Sequence, residues 1–332
     1  MDVTDLLARA RAAGASDLHL ATGEPPLLRV AGQLRPMQLP ALQPQALEVG
    51  LSVFLDREQQ RQWASGDDLD LALSLPTVGR LRANLFRQYR GPAASLRLIA
   101  EQLPNVEALG LAQVAARIAG YRDGLVLVGG PTGSGKTSTL AALLDQLNRE
   151  RAGHIVTLED PIEFVHASQR SLVTQREVGR HCRDFAQGLR SALRQDPDVL
   201  MVGELRDLES IRLALRAAET GHLVLATVHT RSAASSIERL VEVFAAEEKA
   251  LVRAMLADSL QMVVAQVLVE RVDGGRVAAR EVLVATPAVR NLVREGRTAQ
   301  LASVMQAGGA LGMRTMEGAM GELLARGVIA AG

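Results

Sequence analysis

The chain has 332 residues, of which 48% are apolar and 22% are charged, as is typical of a globular protein with room for two domains. Its 37 acidic and 37 basic residues balance, and only 2% are aromatic, which argues against a nucleic-acid partner. The single Cys182 excludes an internal disulfide or a multi-cysteine zinc site. No apolar run is long enough to span a bilayer and the N-terminus does not resemble a signal peptide, so we expect a soluble, cytoplasmic protein.

The first hundred residues have the pattern of a small α+β domain. Helices are predicted over 3–13 and over most of 42–63, and a strand begins at Asp17. Further strands are predicted over 27–30, 34–37, 69–75 and 80–86, with a hairpin turn at Ala31-Gly32-Gln33. The polar, proline-broken stretch at 101–105 predicts a linker, so we assign 1–100 to this domain and 101–112 to the linker.

From about Leu111 onward, helices alternate with short apolar strands, which are predicted over 125–129, 154–158, 199–202, 223–228 and 262–268. This alternation predicts a parallel sheet covered by helices, and therefore an α/β fold for the second domain. We assign 113–285 to this core. A C-terminal region of small helices, interrupted by Gly308-Gly309 and Gly312, follows over 286–332.

The most specific motif is a complete GxxxxGK[ST] phosphate loop at residues 130–137. The apolar strand before it and the helical pattern after it direct backbone N–H groups and a positive helix end at phosphate. Lys136 is one of two lysines in the whole chain, the other being Lys249. We predict that ATP is bound here and that the Thr137 hydroxyl ligates Mg²⁺. The predicted nucleotide-binding residues are Gly130, Pro131, Thr132, Gly133, Ser134, Gly135, Lys136, Thr137 and Ser138.

Carboxylates follow two of the predicted strands. Glu159, Asp160 and Glu163 end the strand that begins near 154, and ligands of open α/β sheets bind at that edge. Such oxygens suit Mg²⁺ or an attacking water, whereas the alternative is a solvated acidic turn. Glu204 ends the apolar strand within 196–204, in the manner of a Walker B motif, although Gly203 replaces the usual acidic neighbour. We predict Glu204 as the catalytic base and leave direct metal ligation by Glu204 open.

Two histidines and a group of arginines complete the candidate site. His222 and His229 lie near opposite ends of a predicted buried strand, and their spacing alone favours hydrogen-bonding roles over catalysis. The first domain ends with a cluster of arginines at Arg80, Arg82, Arg90 and Arg97. A guanidinium from this cluster could act as an arginine finger on a neighbour's triphosphate, and the alternative is a solvated strand face.

Taken together, these segments resemble the type IV pilus retraction ATPases of the secretion ATPase superfamily. The resemblance covers essentially the whole chain and is carried by residues 15–20, 130–137, 157–164, 174–178, 196–204, 218–222 and 287–295. It implies a PAS-like N-terminal domain followed by a RecA-like P-loop ATPase domain with a small C-terminal helical region. It also implies a homohexameric ring in which the N-terminal domain of one subunit packs on the core of the next.

The resemblance also implies roles for individual residues. Glu163 belongs to the Asp box and Glu204 to an atypical Walker B box, and both are candidate metal ligands beside Thr137. His229 would take part in catalysis and His222 in nucleotide binding, as members of the His box. Arg82 and Arg97 match the inter-subunit arginines of the family, with Arg80 a weaker match. Segment 287–295 matches a motif associated with retraction, with valines at 289 and 293 where isoleucine is usual.

The function implied is an ATP-hydrolysing motor that depolymerises a pilus from the cytoplasmic face of the inner membrane, against a membrane platform protein. A paralogous, accessory retraction ATPase is an alternative identity and also a candidate partner. Pilus-assembly and type II secretion ATPases carry a large additional N-terminal region, and most have a four-cysteine element, so the short first domain and single cysteine argue against them. A regulatory subunit with little turnover is a further alternative. A small-molecule kinase is weaker, because no segment suggests a closing lid.

Overall fold

The computed structural model describes residues 2–30, 32–99 and 103–330. The chain divides into two compact units, Met1–Gln102 and Leu103–Gly332. The predicted hairpin turn includes Ala31, and the predicted linker includes Glu101 and Gln102, so these parts of the two predictions lie outside the described residues.

The N-terminal unit is built on a six-stranded antiparallel sheet with the strand order β3-β2-β1-β6-β5-β4. Its helices are α1 (Val3–Ala12), α2 (Pro44–Ser52) and α3 (Arg57–Ser65). Its strands are β1 (Asp17–Ala21), β2 (Leu27–Val30), β3 (Gln33–Pro36), β4 (Leu69–Leu75), β5 (Gly79–Gln88) and β6 (Gly91–Leu98). Because side chains alternate across a strand, one face buries leucines such as Leu18 and Leu96 in the core of the unit.

Two features of this unit differ from the sequence-based expectations. The helix predicted over most of 42–63 is two helices, because Asp56 caps α3 by accepting hydrogen bonds from the backbone N–H groups of Glu58 and Gln59. Strand β6 was not predicted, although it lies in the middle of the sheet between β1 and β5. The five strands predicted in this unit are confirmed.

The C-terminal unit is built on a seven-stranded sheet with the strand order β13-β12-β7-β11-β10-β8-β9. The strands are β7 (Gly124–Gly129), β8 (His154–Glu159), β9 (Leu172–Glu177), β10 (Val199–Val202), β11 (Leu223–Val228), β12 (Leu260–Glu270) and β13 (Arg276–Val284). The helices are α4 (Ala112–Ala119), α5 (Lys136–Glu150), α6 (Phe185–Ala192), α7 (Leu208–Glu219), α8 (Ala233–Glu242), α9 (Lys249–Ser259), α10 (Pro287–Glu295), α11 (Leu301–Ala307) and α12 (Met316–Ala325). The α/β prediction is confirmed, and β9 and β13 are additions to it.

The direction of the strands fixes where the site lies. Strands β7, β11, β10, β8 and β9 are parallel neighbours, and β12 is parallel to β7 on its other side. Their carboxyl ends therefore meet at one edge of the sheet, which is where ligands of open α/β sheets bind. Every residue of β7, β10 and β11 is buried, so these strands form a rigid base for the loops at that edge.

Across the described parts of the chain, no helix combines the length and the apolar character that crossing a membrane would require.

Candidate functional site

The phosphate loop joins β7 to α5 at the carboxyl edge of the sheet. Helix α5 begins at Lys136, and its N-cap Gly135 has a φ of 86°, a left-handed conformation that favours glycine. A Cβ added to Gly130 would lie 2.3 Å from Ser134 Oγ and 2.6 Å from the Gln266 carbonyl oxygen. The loop can therefore fold this tightly only with glycine at position 130. As predicted, the positive end of a helix faces the loop.

Lys136 is held inside the loop. Its side chain is buried, and Nζ donates hydrogen bonds to the carbonyl oxygens of Gly130 (2.8 Å) and Pro131 (3.0 Å). Burial lowers the pKa of the ammonium, while the negative charges of Glu204 and Glu163 act in the opposite direction. The structure thus brings together the predicted lysine and both predicted carboxylates.

Glu204 is the second residue after β10 and has two basic neighbours. Its Oε1 accepts a hydrogen bond from Arg206 Nε and lies 3.2 Å from His229 Nε2. The backbone before it is closely packed: Gly203 N–H donates to Leu158 O at 2.7 Å, and a Cβ on Gly203 would lie 3.2 Å from that oxygen. A larger residue at position 203 would therefore require a shift of this backbone.

The carboxylates of the Asp box differ in their surroundings. Glu159 is buried and accepts hydrogen bonds from Thr157 Oγ1 (2.6 Å) and Gln175 Nε2 (3.0 Å), whereas Asp160 is exposed. Glu163 is half-buried in the loop that follows β8, and its charge acts on Lys136. Of the three, Glu163 is therefore the one whose charge influences the phosphate-loop lysine.

His222 and His229 lie at opposite ends of β11, as their spacing predicted. His229 follows the carboxyl end, whereas His222 precedes Leu223, which pairs with Gly124 at the start of β7. Six strand residues separate His222 from the phosphate-loop edge, a distance of about 20 Å. His222 Nδ1 instead contacts the Ala217 carbonyl oxygen at 3.0 Å. Within one chain, His222 therefore lies away from the phosphate loop, and its role in nucleotide binding stays a prediction.

Arg82 and Arg97 lie directly opposite each other on β5 and β6 of the N-terminal unit. Arg97 Nε donates to Asp17 Oδ1 at 2.9 Å, and Arg82 Nη2 lies 3.7 Å from Asp70 Oδ1. Burial alone would raise the pKa of Asp17, but hydrogen bonds from Ser16 and Arg97 outweigh it and the pKa is lowered. Both arginines therefore project from one face of the sheet, and the buried Asp17 carboxylate orients Arg97.

One residue that contacts the phosphate loop gave no strong signal in the sequence. Gln266 is a buried polar residue in the largely apolar strand β12, and it holds the phosphate loop from the side. Its Nε2 donates to Ser134 O at 2.6 Å, and its Oε1 accepts from Thr139 Oγ1 at 2.8 Å. The buried Ser134 Oγ has no hydrogen-bond partner among the described residues, so the loop retains a polar atom that a phosphate oxygen could satisfy.

We expect Gln266→Leu to weaken ADP binding and to lower the free energy of unfolding by about 1–3 kcal/mol, because it leaves buried polar groups unsatisfied. Isothermal titration with ADP and urea unfolding would measure the two effects. Gln261→Leu, also on β12 but half-buried, is the matched control. Unchanged ADP affinity in a stable Gln266→Leu protein would contradict this role.

The described residues form no ready-made cage of acidic side chains for magnesium. In residues 2–30, 32–99 and 103–330, no group of three or more His, Cys, Asp or Glu side chains lies close enough to hold a metal ion. Mg²⁺ usually takes one or two protein ligands together with substrate phosphates and water. The first helical turn carries the Thr137 hydroxyl at the phosphate loop, beside Lys136.

His166, in the loop after β8, is a buried histidine held in its neutral form. Burial lowers its pKa to about 4, and Asp145 only partly offsets this effect. Since the unfolded chain binds this proton near pH 6.5, the free energy of unfolding should fall as the pH drops from about 6.5 towards 4. Between pH 7.5 and 5.0, the free energy of unfolding measured with urea should fall by about 2 kcal/mol more for the wild type than for His166→Gln. Equal losses in the two proteins would contradict this assignment.

The sheet edge is built to receive a triphosphate and to polarise water beside it, which defines the chain as a P-loop ATPase. It belongs to the type II/IV secretion system protein family, whose model matches residues 1–291. The chain is 50% identical over 329 residues to the type IV pilus retraction ATPase PilT of Pseudomonas aeruginosa, covering 99% of this chain and 96% of that protein. It is 37% identical over 317 residues to the type IV pilus ATPase PilU of the same organism, covering 95% and 83%.

Structural comparison agrees. A crystal structure of the pilus retraction motor PilT with bound ADP superimposes with a TM-score of 0.93 at 39% sequence identity, covering 99% of this chain and 95% of that one. The resemblance to pilus retraction ATPases that the motifs indicated is thereby confirmed.

Proposed function

We propose that the protein is a homohexameric motor that hydrolyses ATP to power type IV pilus retraction, and with it twitching motility. The observation that carries the enzymatic part is the arrangement of the carboxyl edge of the sheet, where the phosphate loop with Lys136 follows β7, Glu163 follows β8, and Glu204, 3.2 Å from His229, follows β10. The assignment to pilus retraction is supported by 50% identity to a retraction ATPase over nearly the full length of both chains.

In this proposal, residues 130–138 hold the phosphates through backbone N–H groups and the Lys136 ammonium. Glu204 acts as the general base on the attacking water, and His229, 3.2 Å from it, orients its carboxylate. Glu163 is the second catalytic carboxylate. Thr137 would hold Mg²⁺, with Glu163 and Glu204 as candidate ligands, and the metal neutralises charge on the phosphate oxygens when bound.

Arg82 and Arg97 are proposed to act on the nucleotide of a neighbouring subunit. They sit on the sheet of the N-terminal unit rather than on the sheet that carries the phosphate loop, and both are substantially exposed. Guanidinium groups delivered across an interface can stabilise the charge that develops during phosphoryl transfer. The site would then be complete only in a ring, and His222 could reach a nucleotide only from a different chain.

The finer domain assignment is also part of the proposal. The six-stranded sheet with flanking helices supports a PAS-like domain over 1–100, joined by a linker over 101–112 to a RecA-like core over 113–285. In the C-terminal region over 286–332, the retraction-associated segment 287–295 forms helix α10. The motor is proposed to act in the cytoplasm, peripheral to the inner membrane, on a pilus platform protein and with a paralogous retraction ATPase as a further partner.

The principal retraction ATPase is favoured over the accessory paralogue, because identity to PilT is 50% and identity to PilU is 37%. A regulatory subunit with little turnover is disfavoured, because a pure binder has no use for a glutamate and a histidine placed beside the phosphate loop.

Complementation of a retraction-deficient strain tests the proposal. The wild-type gene should restore twitching, and Glu204→Gln should not. Glu209→Gln is a matched control, because Glu209 is an exposed glutamate in the first turn of α7. A wild-type protein that forms hexamers and hydrolyses ATP but fails to restore twitching would contradict the motor assignment. Rescue only of a strain that lacks the accessory ATPase would favour the paralogue.

A further inference from the structure

We propose that Gln175 and Glu177, on strand β9, are positioning residues that hold the acidic loop, residues 160–166, in place for catalysis. The acidic loop carries Glu163, so the inference rests on the proposed function. Segment 174–178 contributes to the family resemblance, but the mechanism above assigns it no role.

Gln175 connects the acidic loop to the sheet through both ends of its amide. Its Nε2 donates to the Phe164 carbonyl oxygen at 2.8 Å and to Glu159 Oε1 at 3.0 Å. Its Oε1 accepts a hydrogen bond from the His166 N–H group at 2.8 Å. One side chain thus binds the loop on both sides of Val165 and ties it to the end of β8.

Glu177 holds the other side of the acidic loop. Its buried carboxylate accepts a hydrogen bond from the Ile162 N–H group at 3.1 Å through Oε2. In the parallel register of β8 and β9, Gln175 pairs with Thr157 and Glu177 with Glu159. The two positioning residues therefore lie two positions apart on one face of β9, at the edge where the nucleotide would bind.

The three anchors bracket Glu163. Ile162 is held immediately before it, and Phe164 and His166 are held after it, all by side chains of β9. The acidic loop has no regular secondary structure, so its backbone polar groups need partners from elsewhere. Because a displacement of about 1 Å can lower a rate about 100-fold, loss of these anchors should act on turnover through Glu163.

The chemistry at position 175 requires a neutral amide. A carboxylate there could accept from the His166 N–H group, but it could not donate to Phe164 O or to Glu159. It would also stand beside the buried Glu159 carboxylate, where two like charges repel. Gln175→Glu should therefore impair the protein at least as much as Gln175→Met.

The first experiment measures turnover. We expect Gln175→Met to lower kcat for ATP by about 10- to 100-fold while the Kd for ADP stays within about 2-fold of wild type. Gln195→Met is the control, since Gln195 is a half-buried glutamine outside the acidic loop and β9. Glu177→Gln keeps an acceptor for the Ile162 N–H group and should retain most of the activity, whereas Glu177→Met should lose it.

The second experiment asks whether Gln175 acts through Glu163. In the Glu163→Gln background, adding Gln175→Met should change kcat by less than about 2-fold, because the residue that it positions has already been removed. An equal loss in both backgrounds would overturn the inference. The inference would also be overturned if the folded Gln175→Met protein had the wild-type kcat while the Glu163→Gln protein was impaired.

Hydrogen exchange tests the anchors independently of activity. The amides of Ile162 and His166 should be protected in the wild type and should exchange at least about 10-fold faster in Glu177→Met and Gln175→Met, respectively. Unchanged protection would overturn the inference. Full ATPase activity in Glu163→Gln would instead count against the proposed function, and the exchange measurement would still decide whether β9 anchors the loop.

Discussion

Lys136→Ala should lower the rate of ATP hydrolysis by at least about 100-fold, the effect expected when a single preorganised positive donor is removed from a phosphoryl-transfer site. Lys136 is buried in the phosphate loop, within the electrostatic reach of Glu204 and Glu163. No other lysine of the chain lies in the loop to take its place. Phosphate release by the purified protein at saturating ATP would measure the effect.

The chain offers a matched control in its only other lysine. Lys249 begins helix α9, and Lys249→Ala should hydrolyse ATP within about 2-fold of wild type, as is usual for substitutions away from a site. Both variants should unfold at similar temperatures. Substantial hydrolysis by Lys136→Ala would show that nucleotide turnover takes place elsewhere and would remove the basis of the proposed mechanism.

Hexameric rings that combine Lys136→Ala and Arg97→Gln subunits should hydrolyse ATP faster than rings made of either variant alone. Arg97→Gln alone should lose about 1,000-fold in turnover, as expected for loss of an arginine finger. An Arg97→Gln subunit keeps an intact phosphate loop. If Arg97 acts on the next subunit, a neighbouring Lys136→Ala subunit can complete that site with its own Arg97. In randomly assembled one-to-one rings, about one interface in four would be competent. Co-expression with two affinity tags and tandem purification would supply these rings.

Arg90→Gln is the control and should keep the wild-type rate, because Arg90 lies in the turn between β5 and β6, at the other end of this hairpin from the Arg82–Arg97 pair. Mixed rings that hydrolyse no more ATP than the two parents, although they are hexameric and bind ADP, would show that the site is not shared in this way. Full activity of Arg97→Gln by itself would lead to the same conclusion.

The parts of the fold that sequence could predict are those encoded locally. Strands β7, β10 and β11 are buried on both faces and appear as short apolar runs, and the phosphate loop has a fixed pattern of residues. Strand β9 lies at an edge of the sheet and is half-exposed, so Leu-Val-Thr-Gln-Arg-Glu shows neither an apolar run nor a clear alternation. Strand β6 begins with Gly-Pro and contains small residues, which locally indicate a turn rather than the centre of a sheet.

From the sequence, the site could be predicted only where its residues belong to one contiguous motif. Gln266 contacts Ser134 and Thr139 from more than 120 positions away, and no local pattern marks such a contact. Gln175 reaches the acidic loop from a strand that was itself not predicted. For His222, the spacing correctly indicated the far end of β11, and the resemblance alone placed it at the nucleotide.

The two hydrogen bonds from Lys136 to the carbonyl groups of Gly130 and Pro131 bear on product release. A buried ammonium that lost its only partner when ADP left would oppose that departure by several kcal/mol. Here the Lys136 ammonium has carbonyl acceptors within its own loop. When the phosphates of ADP leave, these peptide oxygens can serve as its hydrogen-bond partners, so the buried charge does not become unpaired. Such a loop favours repeated cycles over tight retention of the spent nucleotide.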